Sequence, residues 1–210
     1  MESKPPESAP ERRRNDPQAL RGRVLDAAAA LFQSNGYGAT TTQQIAAAAA
    51  VTHGAMHHHF PTKKALGLAV VRERVRDAIH ETWVAPMRDE ATALDAVSAI
   101  FDGIGAFLDR SGRVEGCPLN NLTLELALGD KDFRAEVSPI FDDWRAAIAA
   151  RVRDDQRSGL SRGLDPEAFA TQVVAACSGA MAMAKADQSS AALRIVARQF
   201  ADHRLFGEPA

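Results

Sequence analysis

Four of the chain's six histidines fall within VTHGAMHHHFPTKKAL, residues 51–66, and three of them are adjacent. Imidazoles so crowded suggest metal ligation first, because His53 and His57 stand four apart, a spacing that puts two ligands on one helix face. Helix geometry argues against a site in the run itself. Neighbouring residues point about 100° apart, so His57, His58 and His59 do not converge on one ion. Between Asp26 and Glu73 there is also no Asp, Glu or Cys to complete a ligand shell, and no metal is expected. On a short helix between Thr52 and Pro61, Met56 and Phe60 are four apart and face inward. That leaves His53, Gly54, Ala55, His57 and His58 toward solvent or a partner.

The other reactive side chains are the two cysteines, Cys117 and Cys177. No CxxC or CxxH spacing lies near either, so neither a disulfide framework nor a zinc knuckle is suggested, and a reducing cytosol is the simple reading. Cys117 directly precedes Pro118, a favoured first helical residue, which would set its sulfur at a helix N-terminus where the dipole stabilises thiolate. The opposing reading makes it a small buried side chain at the start of a core helix. Cys177 lies within an apolar stripe and reads as packing. There is no Gly-rich phosphate loop, no GxSxG and no supported Ser/His/Asp set. The paired acids Asp142-Asp143 and Asp154-Asp155 sit on Arg-rich helices, where solvated ion pairs are the default. No catalytic residue, cofactor or enzymatic activity is therefore expected.

The elements that must carry these residues are helical. Apolar residues make up 46% of the 210 and aromatics only 6%, with Ala and Leu dominating, which favours an all-α fold over a sheet. Residues 1–15 are polar, Pro-rich and charged, and are expected to form a disordered tail that includes Arg12, Arg13 and Arg14. Asp16-Pro17 then opens a helix that NGYG ends. Thr40, Thr41 and Thr42 precede a short helix running to about Ala49. Thr52 caps the histidine helix, and Thr62 caps the next, which carries Lys63 in its first turn. Lys63 is electrostatically out of place there unless an anion lies near. Further helices are expected at roughly 62–83, 87–110, 117–128, 130–157, 165–187 and 190–206. No window approaches the roughly 18–20 apolar residues of a membrane span, so a cytoplasmic protein with no membrane partner is expected.

Charge divides the chain. Residues 1–64 hold eight Lys/Arg against five Asp/Glu, and residues 65–210 hold 17 against 22. A basic front suits a polyanion, and an acidic back suits another task. Three short helices at the front, the last two joined by a tight turn, make a helix-turn-helix, whose second helix enters the major groove while flanking hydroxyls and lysines hold phosphates. The expected domains are 16–64 for DNA binding and 65–206 for a helical remainder, with a tail at 207–210.

RVLDAAAALFQSNGYGATTTQQIAAAAAVTHGAMHHHFPTKKAL resembles the DNA-binding domain of the TetR family of transcriptional regulators. The matches include Leu25, Leu31, Phe32, Gly36-Tyr37, Thr40, Ile45-Ala46, Val51, Gly54, Met56, His59-Phe60, Lys63 and Leu66. Three positions depart from the pattern: His57 replaces a usual tyrosine, Ala50 a glycine at the turn, and Lys64 an acid. The resemblance implies a repressor that binds double-stranded operator DNA as a homodimer and is released by a small-molecule effector. Candidate DNA contacts are Thr41, Thr42, Thr52, His53, Gly54, Ala55, His57, His58, His59 and Lys63. The candidate effector-pocket residues are Trp83, Met87, Cys117, Asn120, Asn121 and Leu124, and the alternative effector is an electrophile or oxidant acting on Cys117. Dimerisation through the last two long helices is implied as well. The small residues Ala175, Ala176, Ser178, Gly179, Ala180, Ala182 and Ala184 would permit the close approach it needs.

Overall fold

A computed structural model describes residues 16–88 and 90–202. The expected tails at 1–15 and 207–210, and the end of the last helix, lie outside these residues. The described residues are helical with short connections, so the all-α expectation holds. The chain divides into two compact units, Met1–Val70 and Val71–Ala210. The division falls after Val70 rather than Lys64, because the helix from Lys63 packs on the first helix of the chain.

In the first unit, α1 (Pro17–Asn35) begins where expected: the Asp16 carboxylate accepts from the Gln18 amide at 2.9 Å and Pro17 occupies the first turn. Gly36, with φ 87°, ends it. Then α2 (Thr42–Ala48), α3 (His53–His59) and α4 (Lys63–Val70) follow. Val24, Leu25, Ala28 and Phe32 of α1 close on Ile45, Met56, Phe60 and Leu66, all buried. A core of this size fixes the orientation of three short helices that would not persist alone in water.

The α2–α3 turn needs a left-handed residue, and Ala50 takes it with φ 52°. For an L-residue that conformation costs about 1 kcal/mol, which glycine avoids. Ala50→Gly is accordingly expected to raise stability by about 0.5–1 kcal/mol in urea melts, with DNA affinity unchanged. A destabilised variant would contradict this account of the turn.

The second unit opens with a π-helical turn, Val71–Val75, then α5 (Arg76–Ile79), a second π-helical turn, His80–Val84, and a 3₁₀ turn, Ala85–Arg88, that contains Pro86. The helix expected from about residue 87 starts later, as α6 (Ala93–Ser111), because Pro86 sits in the tighter turn and the Thr92 hydroxyl accepts from the Asp95 amide at 3.1 Å to cap it. Next come α7 (Pro118–Leu126), α8 (Lys131–Arg157), α9 (Pro166–Asp187) and α10 (Ala191–Ala201). At 27 residues, α8 is about 40 Å long and forms the spine. Its Phe133, Val137, Ile140, Trp144, Ile148 and Val152 make one buried stripe, and Trp83 packs on Trp144 with ring centroids 4.9 Å apart.

The paired acids separate. Asp142, Asp143 and Asp154 form exposed pairs with Arg145, Arg76 and Arg157, as expected. Asp155 does not: it is 4% exposed and accepts from Arg151 Nε at 2.9 Å, from the Ala93 amide at 2.6 Å and from the Ser161 hydroxyl at 3.3 Å. Arg151 also donates to the carbonyls of Met87 (2.8 Å), Glu90 (2.9 Å) and Ala91 (2.7 Å). The pair thus pins the Met87–Ala93 segment to α8 from both sides, with each guanidinium nitrogen used.

Candidate functional site

The first unit presents its polar groups around α2 and α3. Thr41 caps α2 reciprocally: its hydroxyl accepts from the Gln44 amide at 3.2 Å, and its own amide donates to Gln44 Oε1 at 2.8 Å. Thr52 caps α3 by accepting from the Ala55 amide at 3.2 Å. Met56 and Phe60 are buried, while Thr52, His53, Gly54, His57 and His58 are exposed and Ala55 and His59 are half-buried. These positions follow from the helical period, which turns residues 56 and 60 inward, His57 and His58 outward and leaves His59 at the edge.

The histidines form two pairs. His53 and His57, four apart, stack with centroids 6.3 Å apart, and His53 Nε2 shares a 3.2 Å hydrogen bond with the Thr42 hydroxyl, tying the start of α3 to the start of α2. His58 and His59 meet edge to face at 5.6 Å. Among the described residues no group of three or more His, Cys, Asp or Glu side chains is placed to hold a metal ion.

Lys63 has company that its dipole position needs. Its ammonium lies 4.4 Å from the Tyr37 ring centroid and donates to the Gly38 carbonyl at 3.3 Å. The π face and the carbonyl offset the positive end of α4. They also hold the cation at one place on the surface, against the turn that follows α1. Tyr37 therefore positions Lys63, a role that its place in the NGYG stop concealed.

The second unit contains a cavity of about 550 Å³ lined by residues of the 71–90 segment, α6, the start of α7 and α9. This volume suits a small organic molecule. Of the candidate effector residues, Trp83 and Cys117 line it. Met87, Asn120, Asn121 and Leu124 do not. Met87 is buried beneath the 3₁₀ turn, and Asn120 shares a hydrogen bond with the Ser178 hydroxyl at 3.3 Å. Asn121 donates to the Glu115 carbonyl at 2.9 Å, and Leu124 is 82% exposed on the outer face of α7. Residues not anticipated include Ile79, Thr82, Glu90, Gly103, Phe107 and Cys177. The second π-helical turn carries Thr82 and Trp83, a local widening often found at functional sites.

Both thiols are free, buried and in contact with the cavity. Of the two readings of Cys117, the structure fits the buried side chain: burial pushes the thiol up, and the amides of Asn120 and Leu119 offset this only in part. Burial pushes Cys177 well up too, with the nearby Cys117 adding to it. The folded chain keeps protons that the unfolded chain releases above the ordinary thiol value, so these groups lower stability as pH rises past it. A neutral thiol is a poor nucleophile, so iodoacetamide at pH 7.5 is expected to label the native protein at under about a tenth of the rate for the urea-unfolded chain. Equal rates would contradict the burial argument.

Residues 24–70 match the family of bacterial regulatory proteins of the tetR family. Residues 93–199 match the C-terminal domain described as transcriptional regulator LmrA/YxaF-like, which by itself covers half of the chain. The chain belongs to the TetR family of transcriptional regulators. It is 25% identical to the HTH-type transcriptional repressor DhaR of Mycobacterium sp. (strain GP1) over 178 residues, covering 81% of this chain and 84% of that one. A TetR transcriptional regulator from Chloroflexus aurantiacus J-10-FL superposes with a TM-score of 0.74 at 26% identity, covering 89% and 94% of the two chains. The regulatory protein TetR from Rhodobacter sphaeroides gives 0.78 at 24% identity, with 88% and 98% covered. This TetR-family regulator therefore has a DNA-binding front unit and a helical C-terminal unit of the LmrA/YxaF-like kind. No helix among the described residues is long and apolar enough to cross a membrane.

Proposed function

We propose that this TetR-family regulator is a repressor that binds a palindromic operator as a homodimer and is released when a small molecule occupies the cavity of its second unit. The observation that carries the reading is the capped helix α3, which turns His53, Gly54, His57 and His58 outward, with the Thr42 hydroxyl bonded to His53. In a helix-turn-helix that surface reads base edges while the threonine hydroxyls and the Lys63 ammonium take phosphates.

The dimer is assigned to α9 and α10. Of the small residues on α9, Ala180 and Ala184 face inward, but Ala175, Gly179 and Ala182 are exposed, beside Met183 at 57% exposure and Ile195 of α10 at 54%. Ala176 and Ser178 are half-buried at its edge. An exposed apolar face with little side-chain bulk suits a self-complementary two-fold contact. A two-fold dimer sets two α3 helices on half-sites one DNA turn or a multiple apart. A ligand that prefers the dimer arrangement with the wrong spacing lowers DNA affinity by its differential affinity for the two arrangements.

Selection of bound duplexes from a random pool tests this. The expected product is an inverted repeat bound by two chains, with an affinity that falls steeply between 50 and 200 mM salt, by roughly a hundredfold or more. Enrichment of sites without two-fold symmetry, or one chain per site, would overturn the reading.

A further inference from the structure

We propose that the cavity takes a hydrophobic monocation, an alkyl or aromatic body carrying one positive charge, with that charge set against Glu90. This rests on the reading of the cavity as the effector site and names the class of effector. The lining is aliphatic, aromatic and sulfur-bearing, with Trp83, Ile100, Phe107 and Met181 prominent, and Glu90 is its one charged residue apart from the neutral thiols. Among the described residues no Lys, Arg or His lines it. An anion in that cavity would meet a like charge and no cation, and the unpaired charge would have to be desolvated. A cation meets a carboxylate in a lining that includes the aromatic rings of Trp83 and Phe107.

Glu90 is also held in place. Arg151 donates to its backbone carbonyl at 2.9 Å and to the next carbonyl, of Ala91, at 2.7 Å. The Arg151 charge is itself met by buried Asp155 at 2.9 Å, so it does not compete for the Glu90 carboxylate. That carboxylate has no hydrogen-bond or ion-pair partner among the described residues. The backbone of Glu90 is held while its side chain is exposed, so a ligand's charge can meet the carboxylate at the solvent-facing side of the cavity.

Three probes of one chain length separate the terms: decyltrimethylammonium, decyl sulfate and neutral decyl glucoside, each titrated below its micelle concentration into the full-length protein. The chain's two tryptophans are Trp83, in the lining, and Trp144, which it contacts, so intrinsic fluorescence reports occupancy. The cation is expected to bind about tenfold or more tighter than the anion. Glu90→Gln is expected to bring cation and anion within about twofold while leaving the neutral probe unchanged. Gly103 lines the cavity and a Cβ there would meet nothing within 4 Å, so Gly103→Phe fills the space from a helix that tolerates it and should weaken all three probes.

An anion that binds as tightly as the cation, or a cation preference that survives Glu90→Gln, would overturn the proposal. If all three probes bind alike and Gly103→Phe weakens them alike, the cavity remains the effector site and the monocation is wrong. If no probe changes the fluorescence, or Gly103→Phe changes nothing, both readings fall.

Discussion

Asp155→Ala is expected to destabilise the protein by about 3–5 kcal/mol, the largest single-residue effect outside the aromatic core. The carboxylate is almost fully buried and serves three groups at once: the Arg151 guanidinium, 13% exposed, the amide of Ala93, the first residue of α6, and the Ser161 hydroxyl. Truncation leaves a largely desolvated cation facing three carbonyls without a countercharge, and a buried helix-start amide without an acceptor. For a chain of this length each kcal/mol lowers Tm by roughly 2–4 °C, so a fall on the order of 10 °C is expected. Asp155→Asn keeps an acceptor but loses the charge and should fall between. Asp154→Ala provides the contrast, since its pair with Arg157 is exposed at both ends and such pairs contribute about 0–1 kcal/mol. Similar losses for Asp154→Ala and Asp155→Ala would show that the buried pair holds nothing in particular.

Asp154 and Asp155 also mark where sequence reading stops. They are adjacent, chemically identical and on the same Arg-rich helix, and the run of residues predicts a solvated pair for both. What buries Asp155 is the start of α6, 62 positions away in the chain, and no local pattern encodes that meeting. Helix starts were legible for the opposite reason. Asp16, Thr41, Thr52, Thr62 and Asp165 cap helices with atoms two or three positions away, so the signal and the structure it specifies share one short stretch.

The inward turn of Met56 and Phe60, and with it the outward set on α3, was readable from a four-residue spacing alone. The cavity was not, because a void is defined by what fails to fill it. Gly103 contributes open space, and Cys177 belongs to the same apolar stripe as core residues yet borders that space. Leu122 and Leu124 show how fine the margin is, the first buried and the second exposed. Two positions along a helix change direction by about 200°, and the phase of α7 is set by packing that the sequence does not display.

Lys63→Ala and His58→Ala are expected to weaken operator binding with different signatures, and the difference tests the docking of α3. A dimer counts each substitution twice. His58 is exposed on α3, the proposed reading helix, and a lost base contact amounts to about 1–3 kcal/mol. Twice that is a loss of roughly 30-fold or more, concentrated on the preferred sequence and with the salt dependence little changed. Lys63, held by the Tyr37 ring and the Gly38 carbonyl, is the proposed phosphate partner. Its removal should weaken binding to every sequence about equally and reduce the slope of log affinity against log salt by about 2, one released counterion per subunit. Tyr37→Leu removes the π face but keeps the ammonium, and should give a smaller loss with the slope retained. The melting temperatures of the His58 and Lys63 variants should stay near that of the parent, since His58 is exposed and the Lys63 cation–π contact contributes about 0.5–1 kcal/mol, whereas Tyr37→Leu also loses ring packing on Phe32, 5.0 Å away, and should melt lower. A Lys63→Ala variant with the parent's salt slope would place that ammonium away from the DNA. A His58→Ala variant with unchanged preference among selected sites would place the reading face elsewhere on α3.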